Sequence, residues 1–186
     1  MFMAVYPPIE VQQHFKVVVD RLAVARPRER SVRLASPERW HLTVAFIGDV
    51  EDELASVAAL QELADVPVPT VWIAGGKTLG RGKFRHLVAG VETDDGGAGL
   101  KRLGDRTRKA LKRHRLPFDK REWQPHVTIA RPSDILSAEE LGGDLEMLAG
   151  YRSPAWRLQE VHLMRSRLGP RPEYDVLARV PLSEAS

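Results

Sequence analysis

There is no cysteine anywhere in the 186 residues of this chain. That removes disulfides, thiolate nucleophiles and cysteine-ligated metal centres in one step. Long apolar runs are missing too: no stretch approaches the roughly 18 residues that a membrane helix needs. The opening residues, MFMAVYPPIEV, have no basic segment ahead of a long apolar one. A secretory signal is therefore not expected, and a cytoplasmic location is the default. Neither sign of charge dominates. Lys and Arg number 28 against 25 Asp and Glu, a net charge of +3. Such a balance permits an anionic partner without demanding one. No low-complexity segment or disordered linker stands out.

What remains reads as an ordinary globular chain, 43% hydrophobic and 28% charged. Its length fits one domain, or two small lobes sharing a core. MFMAVY looks like a first strand, stopped by Pro7-Pro8. Val11, Phe15, Val18, Val19 and Leu22 have helical spacing, and the pattern predicts a helix over 9–25, ended by Pro27. A short strand follows around 32–34 and a longer one at 40–47. A helix is expected over 51–65, with acidic residues in its first turn. PTVWIAGGKTLG and FRHLVAGVE read as two strands joined by a Gly-rich turn. A basic helix over 98–115, a strand HVTIAR, a helix over 138–149 and a closing hairpin, WRLQEVHLMRSRL with EYDVLARVPL, complete the chain. Strands and helices are interspersed, and several strands are sequence neighbours. The class implied is α+β with mostly antiparallel pairing.

One strand carries an unusual wet face. In His41-Leu42-Thr43-Val44-Ala45-Phe46 the apolar residues alternate with His, Thr and Ala. Successive side chains of a strand point to opposite faces, so an imidazole and a hydroxyl share one face. Residues 126–130, His126-Val127-Thr128-Ile129-Ala130, repeat the pattern in type at every position. A lone strand histidine is most often a surface residue or a satisfied buried one. A duplicated His-Thr pair at about half-chain spacing instead suggests two similar halves. If the halves pair about a pseudo-two-fold axis, both motifs reach one groove.

The chemistry of that set is coherent. Histidine titrates near neutral pH, so one imidazole can serve as general base and the other as general acid. Two threonine hydroxyls can donate hydrogen bonds to an anion between them. A phosphodiester fits: water attacks phosphorus on one side and an alkoxide leaves on the other. No metal or other cofactor is required by this scheme.

These paired motifs resemble those of the 2H phosphoesterase superfamily, and within it the LigT-like RNA 2′,3′-cyclic phosphodiesterases. The resemblance runs through PERWHLTVAFIG at 37–48, WQPHVTIAR at 123–131 and the tail SRLGPRPEYDVLARVPL. It implies a single domain over 1–186, with two pseudo-symmetric lobes, antiparallel sheets lining a central cleft, and helices outside. It implies His41 as proton donor, His126 as proton acceptor, and Thr43 and Thr128 as phosphate holders. Arg131 corresponds to a family arginine after the second motif. Simple alternation places Arg131 on the face opposite His126, so a role at the phosphate needs a bend at the strand end. The substrates implied are RNA or nucleotides with 2′,3′-cyclic phosphate ends, opened to 2′-phosphates, with 2′-5′ joining as the reverse chemistry. The protein is expected to act as a monomer, without membrane or obligate protein partner. Relatives act on other cyclic phosphates and on 2′-5′ oligoadenylate. The reading from a different class is a non-catalytic protein whose groove holds an RNA end.

Other features carry less. Gly76-Lys77-Thr78 resembles the end of a P-loop, but the motif needs Gly at position 71, where Val71 stands. A flexible hairpin is the expectation there. The basic stretch from Lys101 to Arg115 reads first as a solvated helix face and second as an RNA contact. Arg81, Lys83 and Arg85 flank the Gly-rich turn and are candidates for lining the cleft. His14, His86, His114 and His162 lack company in the sequence and are read as ordinary.

Overall fold

The computed structural model describes residues 1–27, 33–81, 85–131, 136–167 and 173–184. Lys83 and Val32 lie outside these. In chain order the elements are β1 (Phe2–Val5), α1 (Ile9–Val19), a 3₁₀ turn (Ala23–Ala25), β2 (Arg33–Leu34), a second 3₁₀ turn (Pro37–Arg39), β3 (Leu42–Phe46), α2 (Glu53–Gln61), β4 (Thr70–Leu79) and β5 (His86–Thr93). Then come α3 (Ala98–Arg113), β6 (His126–Arg131), α4 (Ala138–Ala149), β7 (Trp156–Arg157), β8 (Glu160–Arg167) and β9 (Glu173–Pro181). The strands form one sheet in the order β7-β4-β5-β6-β3-β1-β8-β9, with β2 also on β6. Pairing between these strands is antiparallel throughout. The class is α+β, as the residue pattern implied. The two motif strands, β3 and β6, sit side by side at the middle, with three more strands beyond each.

Alternation decides which sheet face is buried. Leu42 and Val44 of β3, Leu87 and Ala89 of β5, and Val127 of β6 join one apolar core. Phe15 of α1, Leu60 of α2, Leu103 of α3 and Leu148 of α4 join it too. All four helices therefore cover one face. The opposite face holds the other side chains of the same strands, including a small cluster of Phe2, Ala4 and Met164 with Tyr6 packed against it. The helix basic residues lie on the covered side. On α3, Lys101 pairs with Asp105, Arg106 with Asp65 and Arg113 with Glu62. These pairings fit a solvated helix face, the first of the two readings of that stretch.

Three expectations are corrected. α1 stops at Val19, not at residue 25. The Asp144 carboxylate of α4 accepts from the backbone N–H groups of Ala23 and Val24, and these residues turn as a 3₁₀ unit. Trp156-Arg157 does not open the closing hairpin. It forms β7, opposite Thr70 and Val71 of β4. Buried Trp156 and Leu158 hold that segment to the core before the chain crosses to β8 at the other side of the sheet. Finally, Gly75-Gly76-Lys77 lies inside β4, not in a hairpin turn. Its register slips between Ala74 and Lys77, which is a β-bulge. Gly75 takes a positive φ of 65° there. A Cβ at Gly76 would stand 2.5 Å from the Leu148 Cβ, so only glycine lets α4 lie this close.

Candidate active site

β3 and β6 meet at one paired position, Leu42 opposite Val127. Both residues are buried in the core. Their neighbours His41, Thr43, His126 and Thr128 are half-buried and point to the other face. Continuing the register sets His41 across from Thr128 and Thr43 across from His126. An antiparallel pair has a local two-fold axis at its centre. Here the axis passes between Leu42 and Val127, and it exchanges His41 with His126 and Thr43 with Thr128. Diagonal neighbours on one face of such a pair lie about 7–8 Å apart. That leaves room for a phosphate with one hydrogen bond of about 2.7–3.0 Å on each side.

The two imidazoles are held alike. His41 Nδ1 lies 2.7 Å from the Arg39 carbonyl oxygen, and His126 Nδ1 lies 2.6 Å from that of Gln124. A carbonyl only accepts, so each Nδ1 carries its hydrogen and donates it. Nε2 is then the proton-exchanging atom on both rings. The acceptor is in each case the residue two positions back, so the local geometry repeats with the motif. A further contact joins the two motifs: Trp123 Nε1–H donates to the Thr43 carbonyl oxygen at 2.8 Å.

Both histidines titrate below their ordinary value. Burial is the main cause for each. The hydrogen bonds to the carbonyls work the other way. His126 adds repulsion at His41, and the Lys77 ammonium adds it at His126. The free protein's acid–base pair is therefore expected to give a kcat/KM optimum on the acid side of 6.5, because both limbs of the bell move down. A bound phosphate anion favours the imidazolium forms, so the kcat optimum should lie at higher pH than that of kcat/KM. Parallel pH profiles of the two constants check this. A kcat/KM optimum above pH 7, or one higher than that of kcat, contradicts it.

Arg131 reaches the same face by a route that sequence alternation hides. Leu87 of β5 pairs with Ala130 and Val88 pairs with Thr128, so Ile129 is an extra residue in β6. This bulge re-phases the strand. Ile129 and Ala130 both enter the core. Arg131 then returns to the face of His126. His86, next in register, senses the positive charge of both Arg131 and His126. The required bend at the strand end is thus this bulge.

Sequence reasoning misses several residues around the motifs. The ring of His41 stands among Phe2, Tyr6 and Tyr174, with centroids at 5.3, 5.5 and 5.9 Å. Burial, with Tyr174 nearby, pushes the Tyr6 phenol up to about 12, so it stays neutral at physiological pH. A pocket of about 590 Å³ opens beside these rings, lined by Tyr6, Arg39, His162, Tyr174 and Arg179 among others. Lys77 donates to the Gln124 amide oxygen at 3.1 Å, beside His126. His86, ordinary by its sequence context, shares the motif face. His14, His114 and His162 do have conventional partners in Tyr151, Glu62 and Glu160. Among the described residues no group of three metal-ligating side chains comes together, and no helix is long and apolar enough to cross a membrane.

Known proteins share this architecture. TT0787 of Thermus thermophilus matches at TM-score 0.73 and 24% identity, over 100% of this chain and 98% of that one. E. coli LigT complexed with 3′-AMP matches at TM-score 0.66 and 20% identity, over 98% and 96%. Usb1 of Kluyveromyces marxianus matches at TM-score 0.51 and 16% identity, over 95% and 97%. At these identities the likeness is one of fold. The family model for the 2′-5′ RNA ligase superfamily matches residues 7–170, which takes in both motifs and the whole motif sheet except its last strand and β1, and the chain belongs to that superfamily.

Proposed function

We propose that this protein opens 2′,3′-cyclic phosphate ends of RNA or nucleotides to 2′-phosphomonoesters, by paired-histidine acid–base catalysis. The observation that carries the reading is the two-fold-related His-Thr set on one open sheet face, with both Nδ1 atoms tied to main-chain carbonyls. His126 Nε2 takes a proton from water as its oxygen bonds to phosphorus. The P–O3′ bond breaks, and His41 Nε2 returns a proton to the leaving 3′-oxygen. Thr43 and Thr128 donate to the equatorial oxygens, where negative charge accumulates. Arg131 adds a positive charge on the same face.

The asymmetry of the surroundings supports His41 as the acid. In a cyclic phosphate the leaving oxygen belongs to the nucleoside itself, so the nucleoside must lie on the acid's side. Aromatic rings cluster at His41, where a base can stack. Lys77 and His86 stand on the side of His126. That E. coli LigT has been crystallised with 3′-AMP agrees with a nucleotide-sized site on this fold.

Both proton transfers are supplied by imidazoles. Turnover of a cyclic-ended oligonucleotide is therefore expected to persist in EDTA, and the product is expected to be the 2′-phosphate. Phosphorus NMR of the product and a metal add-back series test this. Activity lost in EDTA and restored by one metal contradicts the mechanism. A 3′-phosphate product would mean that the substrate binds in the flipped orientation, with its 2′-oxygen beside His41. Tight binding of the cyclic end without turnover would favour a non-catalytic end-binding protein.

A further inference from the structure

Strict alternation along β3 would send Phe46 into the core after Leu42 and Val44. The structure turns it out. Phe2 of β1 faces Phe46 and Ala4 faces Thr43, so β3 uses three steps where β1 uses two. This bulge re-phases the strand. Val44 and Ile47 stay buried, while Phe46 is 58% exposed. Its ring lies on the motif face beside Phe2, with 6.2 Å between centroids. The register continues from Phe2 to Met164 of β8, and from Met164 to Val176 of β9. Four apolar side chains thus cross four strands in one row. Phe2 and Met164 are its buried middle, and Phe46 and Val176 are its exposed ends. One exposed apolar side chain is ordinary, but a contiguous row marks a contact surface.

What the row contacts follows from where it lies. The Phe2 ring beside Phe46 also stands 5.3 Å from the His41 ring and 5.2 Å from that of Tyr174. The row is therefore continuous with the nucleoside side of the proposed site. Met164 and Val176 line the pocket of about 590 Å³ next to His41, and Phe46 stands outside it. A pocket of that size suits one small ligand, here the terminal nucleoside. In an RNA that nucleoside carries the rest of the chain on its 5′-oxygen, so the penultimate base lies outside the pocket. An exposed aromatic ring at that place can stack a base of a single strand.

We infer that Phe46 is a stacking shelf for the penultimate base of a single-stranded RNA end, so that the site selects oligonucleotide ends over free cyclic mononucleotides. This rests on the proposed hydrolase reading, and adds to it a length preference and the residue that sets it. A ring face accepts any base, so the preference is for length and not for sequence.

The test is a ratio of kcat/KM values. The numerator is that of the dinucleotide adenylyl-(3′-5′)-adenosine 2′,3′-cyclic phosphate. The denominator is that of adenosine 2′,3′-cyclic phosphate. Any loss of turnover common to both substrates cancels. The natural protein should give a ratio of about ten or more, as one base–aromatic stack does. Phe46→Leu, which keeps apolar bulk but no ring, should bring the ratio close to one. Phe46→Trp should retain it. A ratio near one in the natural protein, or one that Phe46→Leu leaves unchanged, overturns the shelf. So does an equal gain from a 5′-phosphate on the mononucleotide, which would assign the gain to the linking phosphate. A ratio near one together with a dimer that Phe46→Leu dissociates gives the row to a second copy of the chain, and overturns the shelf as well. If neither substrate is turned over, the hydrolase reading fails and binding decides. Adenylyl-(3′-5′)-adenosine 3′-phosphate should then bind about tenfold tighter than adenosine 3′-phosphate, and Phe46→Leu should abolish the difference. Equal Kd values in the natural protein overturn the shelf.

Discussion

His41→Ala and His126→Ala are each expected to lower kcat by about 10²-fold or more, with little change in KM. The physical reason is that proton transfer to and from the reacting oxygens occurs in the transition state, where a positioned acid or base contributes about 10²- to 10⁴-fold. In the proposed mechanism ground-state binding rests instead on the threonine hydroxyls, the cations and the aromatic rings. The two effects should not multiply. Once either histidine is gone the concerted route is lost, so the double variant should resemble the worse single one. The bell-shaped pH profile should lose its acidic limb in His126→Ala, where the base is missing. It should lose its alkaline limb in His41→Ala, where the acid is missing. His41 packs against Phe2, Tyr6 and Tyr174, so His41→Asn, which retains bulk and polarity, guards against a packing artefact. The measurements are kcat and KM against pH for the five proteins on one cyclic-ended oligonucleotide. Near-normal activity and an intact bell in either single variant would make that histidine structural.

What the sequence reveals of this site is what period-two alternation can carry. The strand His126–Arg131 has the bounds its pattern implies. The four motif residues share a face because Leu42 and Val127 claim the other one. The side chains that alternation misassigns are those beyond a bulge. Arg131 and Lys77 both lie past a slip in register, as does Phe46, which pairs with Phe2 on the motif face. A bulge is a property of two strands, and a chain read alone shows only one. The Gly75-Gly76 pair is a local hint in β4, since glycine within a strand often marks a bulge. Nothing comparable marks Ile129. His86 looks ordinary in the sequence because its neighbours, Arg131 and His126, are 45 and 40 residues away in the chain. The aromatic set around His41 draws on β1, the residue just past it and β9, which is equally invisible in a linear reading.

The same limit explains why helical spacing overruns the true end of α1 by six residues, and it leads to the largest stability effect expected in the molecule. Asp144 is 2% exposed. Its Oδ1 accepts from the Ala23 N–H at 2.5 Å and its Oδ2 from the Val24 N–H at 3.0 Å. These contacts tie α4 to the turn after α1 across about 120 residues of chain. Alanine at this position removes both acceptors from a site closed to water. A hydrogen bond to a charged group contributes about 1.5–3 kcal/mol. A total near 3 kcal/mol would lower Tm by about 6–12 °C in a chain of this size. Asparagine should fall between: its carbonyl oxygen serves one donor while its amide hydrogens face the other. The site lies on the far face of the sheet. Leu148 of α4 sits under Gly76, but the β4 bulge is held by its own ladder to β5. At a temperature well below the lowered Tm, Asp144→Ala should therefore keep the kcat of the natural protein. Thermal denaturation of the three proteins, beside kcat at about 20 °C, well under the usual range of domain melting, separates scaffold from site. An unchanged Tm in Asp144→Ala would mean that the turn at 23–25 stands without the carboxylate, and that α1 ends where it does for reasons in its own sequence.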